Sequence, residues 1–246
     1  MRLIYFSPKL FLLFLFFAAS AHAAPLDPFA SWIPAGWKLL IQRTGDLNND
    51  GAADAALVLE KTDPANIKPN KGLGAPELNL NPRRLLVLLN TPGGYKQILS
   101  RDDLLPTQDE EENTCLLDPL ANGDVSIERG DLIISLQYFM SCGGWGVPTV
   151  TYTFRLEGER FRLVHYGDLT LIRNTGTMSQ RSFDYLTGQK VTISEEYTSE
   201  EQEQNGEPER KEFTEKFTPR KYYLDDFFMS CDYSEDGTPQ PDGWCG

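Results

Sequence analysis

The chain has 246 residues, with 36 acidic and 23 basic side chains and a formal net charge of −13 at pH 7. So acidic a balance argues against nucleic acid and anionic membrane surfaces as partners, and favours solubility, cations and basic protein patches. The length suits one β-rich domain or two small ones, with ample material for a core.

The first residues carry Arg2 and Lys9, then the apolar run Leu10–Phe17, then the small-x-small site Ala21-His22-Ala23. This pattern predicts a secretory signal peptide over 1–23, cleaved after Ala23. The run is short for a transmembrane span, and no cysteine stands at the cleavage site to carry a lipid anchor. An exported chain with no membrane insertion after cleavage is expected, with 24–246 as one β-rich domain. Its 21 basic and 36 acidic residues give it a net charge of −15.

Residues 24–36, with Pro25, Pro28, Phe29, Trp32 and Pro34, read as a leading segment whose aromatics dock on the domain. Strands are predicted at 37–43 and 54–60, the second an apolar run bounded by turn signals. Between them lies Gly45-Asp46-Leu47-Asn48-Asn49-Asp50-Gly51-Ala52-Ala53-Asp54. Asp46, Asn48, Asp50 and Asp54 put side-chain oxygens at positions 1, 3, 5 and 9 of a loop, and Ala52 offers its carbonyl at position 7. An all-oxygen set of this kind suits calcium, with Gly51 supplying the sharp turn. An EF-hand would need a bidentate Glu where Leu57 stands, and helices on both sides. The simpler alternative is a bare hairpin turn at Asn49-Asp50-Gly51. Against it, three carboxylates crowded into one loop repel each other unless a cation neutralises them.

Lys61 to Pro82 is a long polar connection, read as mobile. Arg84–Asn90 and Tyr95–Leu99 form the next hairpin, turning at Thr91-Pro92-Gly93-Gly94. Asp109-Glu110-Glu111-Glu112 reads as a solvated acidic loop. Regular hairpins follow: 124–128 with 132–139 around Arg129-Gly130, and 149–156 with 161–166 around Glu157-Gly158-Glu159. Further strand-like runs stand at 168–173 and 181–186. A polar hairpin spans about 190–218, and its tip at 195–210 is too poor in apolar residues to pack. The expected fold is all-β: antiparallel hairpins in a sandwich or a partial propeller, with little helix.

Cys115, Cys142, Cys231 and Cys245 remain after export, which in an oxidising compartment reads as two disulfides with three possible pairings. Proximity in a Gly/Pro/Asp-rich tail favours Cys231 with Cys245, leaving Cys115 with Cys142. The tail loop of about fifteen residues would gain about 3 kcal/mol in the chain-entropy model. A zinc site would lack C-x-x-C spacing and would have to recruit His165, the one histidine beyond the signal peptide.

Several stretches together resemble a group of exported bacterial proteins of unknown function that carry a single calcium motif of the FG-GAP and VCBS type, as in integrin-like propellers. The matching pieces are Pro34-Ala35-Gly36-Trp37-Lys38, Gly45–Asp54, Arg84–Leu89, Gly93–Tyr95, Tyr152–Arg155, Arg173–Gly176 and Tyr185–Lys190. The resemblance implies calcium and a periplasmic or secreted location, and supplies no activity. A single motif departs from the repeat array of a true propeller.

The catalytic inventory is thin. His165 reads as a strand residue with a structural or surface role, no G-x-S-x-G elbow occurs, and the cysteines read as bridges. Ser141-Cys142-Gly143-Gly144-Trp145-Gly146 reads as close packing beside a disulfide, with a ligand-facing Trp145 platform as the alternative. The expected function is a calcium-binding, disulfide-stapled module rather than an enzyme. The alternatives are an inhibitor or immunity protein whose acidic surface meets a basic toxin, and a hydrolase built on paired carboxylates.

Overall fold

A computed structural model describes residues 27–108, 115–198 and 206–226. The expected signal peptide at 1–23, the expected acidic loop at 109–112, residues 199–205 of the expected hairpin tip and the tail with Cys231 and Cys245 lie outside the described residues. The chain divides into two compact units, Met1–Trp32 and Ile33–Gly246. In the first, Asp27 Oδ1 accepts a hydrogen bond from Phe29 N at 2.9 Å, ahead of the short 3-10 turn Ala30–Trp32.

The second unit is built from antiparallel strands. β1 (Trp37–Gly45), β2 (Asp54–Lys61), β5 (Arg83–Thr91) and β6 (Gly94–Arg101) form a four-stranded sheet in the order β1-β2-β5-β6. β3 (Ile67–Pro69) and β4 (Glu77–Asn79) make a two-stranded ribbon inside the connection from β2 to β5. The larger sheet has seven strands: β7 (Asp124–Glu128), β8 (Asp131–Gln137), β9 (Gly146–Glu157), β10 (Arg160–Ile172), β11 (Met178–Asp184), β12 (Gln189–Glu196) and β13 (Glu209–Lys216). Each pairs with its sequence neighbour, so this sheet is a meander. The described residues include no closed barrel and only single-turn 3-10 helices, as the sequence led one to expect.

Burial explains the two kinds of apolar pattern. β2 lies between β1 and β5 and is buried along Asp54–Glu60, which is why Ala55–Leu59 runs apolar without alternating. β8 alternates, with Leu132, Ile134 and Leu136 buried and Ile133, Ser135 and Gln137 half-buried. One core cluster joins the two large sheets, drawing Ala56, Val58, Leu85 and Val87 from the first and Val125, Ile134, Tyr152 and Phe183 from the second. Aromatic rings line the larger sheet's inner face: Tyr152 to Tyr166 at 5.3 Å between centroids, Tyr166 to Phe183 at 5.9 Å, and Phe183 to Phe217 at 5.7 Å. Edge-on and tilted contacts of this kind add to the area that the rings bury.

Two features depart from the sequence reading. The run at 168–173 is no separate strand but the far half of β10. The connection 61–82 is not loose: Asp63 caps a 3-10 turn at Pro64–Asn66, β3 pairs with β4, and a polar network holds both. In that network buried Asn81 accepts from Asp63 N at 2.9 Å and donates to Asn79 Oδ1 at 2.9 Å, and Asn79 donates to Glu60 Oε1 at 2.9 Å. Glu60 also meets Lys38 Nζ at 2.7 Å and Arg83 Nη2 at 3.2 Å. Polar bonds, with Leu78 as the one buried apolar side chain of 61–82, order this segment, so hydrophobicity along the chain gave little sign of it.

Cys115 and Cys142 form the expected disulfide, with Cα atoms 5.6 Å apart. It joins the approach to β7 with the loop after β8. Ser141 N and Oγ both donate to Cys115 O at 2.9 Å beside it.

Candidate functional site

The Gly45–Asp54 segment closes the β1–β2 hairpin, with Gly45 and Asp54 as its last paired residues. Its tip is an interlocked set of side-chain bonds to backbone. Asp46 Oδ2 accepts from Gly51 N at 2.8 Å and Oδ1 from Asp50 N at 3.2 Å. Asn48 Oδ1 accepts from Asp50 N at 3.0 Å, while its amide nitrogen donates to Asp50 Oδ2 at 2.9 Å. Asp50 Oδ1 accepts from Ala52 N at 2.8 Å. Asn49 and Gly51 take left-handed φ values of 59° and 87°, which a Gly and an Asn tolerate best. The Ala52 N–H, then the Asn48 amide, hold the Asp50 carboxyl below the usual carboxylate range.

Asp54 does something else. It is fully buried, and its Oδ2 accepts from Leu47 N at 2.8 Å while its Oδ1 accepts from Asn90 N at 2.8 Å. One carboxylate thus ties the start of the loop to the far end of β5, and buried Leu47 anchors the same point in the core. Asp46, Asn48 and Asp50 therefore come together at an exposed tip, and Asp54 lies beneath them on backbone donors. Among the described residues, no three His, Cys, Asp or Glu side chains form a metal-holding group. The donor chemistry nonetheless suits a hard cation. Asp46, Asp50 and Asp54 each accept two bonds, where a carboxylate has about four acceptor positions.

The loop rests on the β7–β8 turn. A Cβ added at Gly130 would lie 3.4 Å from the Asn49 amide, and one at Gly45 would lie 2.6 Å from Ile127 Cγ2. Beside this contact Arg43 Nη2 meets Asp124 Oδ1 at 2.8 Å.

A second cluster stands on the larger sheet, where the sequence gave His165 a structural or surface role. His165 Nε2 lies 2.8 Å from Ser182 Oγ, and Asp184 is the direct cross-strand partner of His165. Burial lowers the His165 pKa, and the Asp184 charge offsets this in part. Burial pushes Asp184 up, but the Thr187 and Leu186 N–H groups and His165 hold it below the usual range. Ser182-x-Asp184 alternates onto one face of a strand, a visible signal, but nothing along the chain sets its register against His165.

In the Gly-rich loop, Trp145 is 62% exposed. Arg173 lies over the Phe139 ring at 4.6 Å and donates to Gly144 O at 2.5 Å. No family model, curated protein or solved structure matches the chain.

Proposed function

We propose that this protein is an exported calcium-binding β-module, processed after Ala23, that acts in binding or as a structural element. The reading agrees with the resemblance to single-motif FG-GAP/VCBS proteins. The observation that carries it is the tip of the β1–β2 loop, where Asp46, Asn48 and Asp50 are gathered at one exposed point. Asp46, Asn48 and Asp50, with the Ala52 carbonyl, would hold the ion, and Asp54 fixes the hairpin from below. A bound calcium would offset the repulsion between neighbouring carboxylates and hold the loop against the β7–β8 turn.

The test is a thermal melt of residues 24–246 with calcium, with chelator, and with Asp50→Ala. Calcium should raise the midpoint, by about 2.7 kcal/mol of stabilisation at a hundred times Kd, and the substitution should remove the shift. A melt indifferent to calcium and chelator would reduce the loop to a hydrogen-bonded turn.

The net charge of −15 on the processed chain favours a basic protein face as the partner, in the manner of an inhibitor or immunity protein. Association with such a partner should slow steeply as salt is raised.

A further inference from the structure

The geometry points to a nucleophilic serine at Ser182, with His165 as its base and Asp184 as the carboxylate that faces the histidine across the strand pair, acting on carboxylic esters. The three residues come from two neighbouring strands. Ser182 and Asp184 alternate onto one face of β11, and His165 on β10 stands directly opposite Asp184 and diagonal to Ser182. A β-bulge between Leu163 and His165 shifts the β9–β10 register just before the histidine; bulges commonly re-aim a side chain in this way. Gly167 faces Ser182, and a Cβ there would come within 3.4 Å of His165 Cε1, so the glycine leaves the imidazole its room.

The Nε2···Oγ distance of 2.8 Å lies within the range over which a base takes a hydroxyl proton. Asp184 is itself fixed, its Oδ1 accepting from Leu186 N at 2.8 Å and Thr187 N at 2.9 Å. The groups facing the imidazole across its strand neighbours are Thr153 on β9 and Asp184 on β11, the latter the one charge between them. A neutral imidazole is the form a general base requires, and the partial burial of His165 favours it.

The step balances without a co-reactant beyond water. Ser182 Oγ attacks the ester carbonyl carbon, its proton passes to His165 Nε2, and the bond to the alcohol oxygen breaks. The alcohol leaves with that proton, and an acyl ester remains on Ser182. Water then attacks the acyl ester, gives its proton to the same nitrogen, and restores the serine as the acid departs.

The test uses the full processed chain and a small fluorophosphonate, which forms an Oγ–P bond as fluoride leaves. Intact mass and peptide mapping should place one adduct on Ser182 of the unaltered protein. The labelling rate should hold level near neutral pH and fall in acid, below the 6.5 of a free histidine. His165→Gln should slow labelling roughly a hundredfold, and Ser182→Ala should abolish it, with thermal melts confirming that both remain folded. Absence of an adduct on Ser182 of the unaltered protein, or an equal rate in His165→Gln, would overturn the assignment and leave a structural hydrogen bond.

Discussion

The Arg83 guanidinium closes on the Asp118 carboxylate with both terminal nitrogens, Nη1 lying 2.6 Å from Oδ1. The same group holds Glu60 from its other side and donates to Pro106 O at 2.8 Å. Burial works against the Arg83 charge, but Asp118 and Glu60 together raise its pKa. Both Arg83 and Glu60 are only 3% exposed. Each charge is tolerable there because the other is present.

Glu60→Gln should therefore be costly, by about 1–3 kcal/mol, because it removes one of the two carboxylates that hold the buried guanidinium and leaves Asp118 alone to face it. Paired replacement with Glu60→Met and Arg83→Met should cost less than the two single changes added together. Urea midpoints of the three variants measure this, and additive losses would contradict it.

Asp54 and Asp50 should separate cleanly. Asp54→Asn sets an amide N–H against a backbone donor and should cost about 2–3 kcal/mol with or without calcium. Asp50→Ala touches an exposed tip and should cost less than Asp54→Asn in chelator. Melts of both variants in chelator decide the point, and equal losses would show that the loop does not divide its labour this way.

The depressed Asp50 pKa has a definite sign. A carboxyl whose folded pKa lies below its unfolded value stabilises the protein above that value, about 3.9, and the contribution disappears as pH falls through the folded pKa. In chelator, Asp50→Asn should remove that contribution, lowering stability near neutrality and flattening its dependence on pH below about 4, where the variant and the unaltered protein converge. Urea midpoints between pH 2.5 and 7 test this, the range being set to bracket roughly the carboxylate pKa values.

Replacing Cys115 and Cys142 together by serine opens a loop whose ends are 27 residues apart. The chain-entropy model puts the loss at about 3.5 kcal/mol. Chemical denaturation of the variant measures it, and a negligible change would mean that the unfolded chain is already held compact there.

Much of the fold was legible because it is local. Thr149–Leu156 alternates as a half-buried strand must, Glu157-Gly158-Glu159 marks its turn, and the cysteine spacing led to the observed bridge. What was not legible depends on register and distance. Glu60 and Arg83 look like polar ends of apolar strands until β2 and β5 pair them opposite each other. Asp54 stands at position 9 of the loop, and nothing along the chain shows that the fold will bring Asn90 N to it. His165, Ser182 and Asp184 converge only through the β10–β11 pairing, which no local pattern specifies. The segment 61–82 looks loose because its order rests on Asn79 and Asn81, residues that elsewhere mark solvent.

The meander has a kinetic consequence. Every strand from β7 to β13 finds its partner in the next stretch of chain, so that sheet has low contact order and grows hairpin by hairpin. β2 and β5 must instead close the gap between Lys61 and Arg83, at a loop-closure cost of about 3 kcal/mol before any pairing is gained. The β7–β13 sheet should thus assemble faster than the β1-β2-β5-β6 sheet, whose two hairpins must still be joined across that gap.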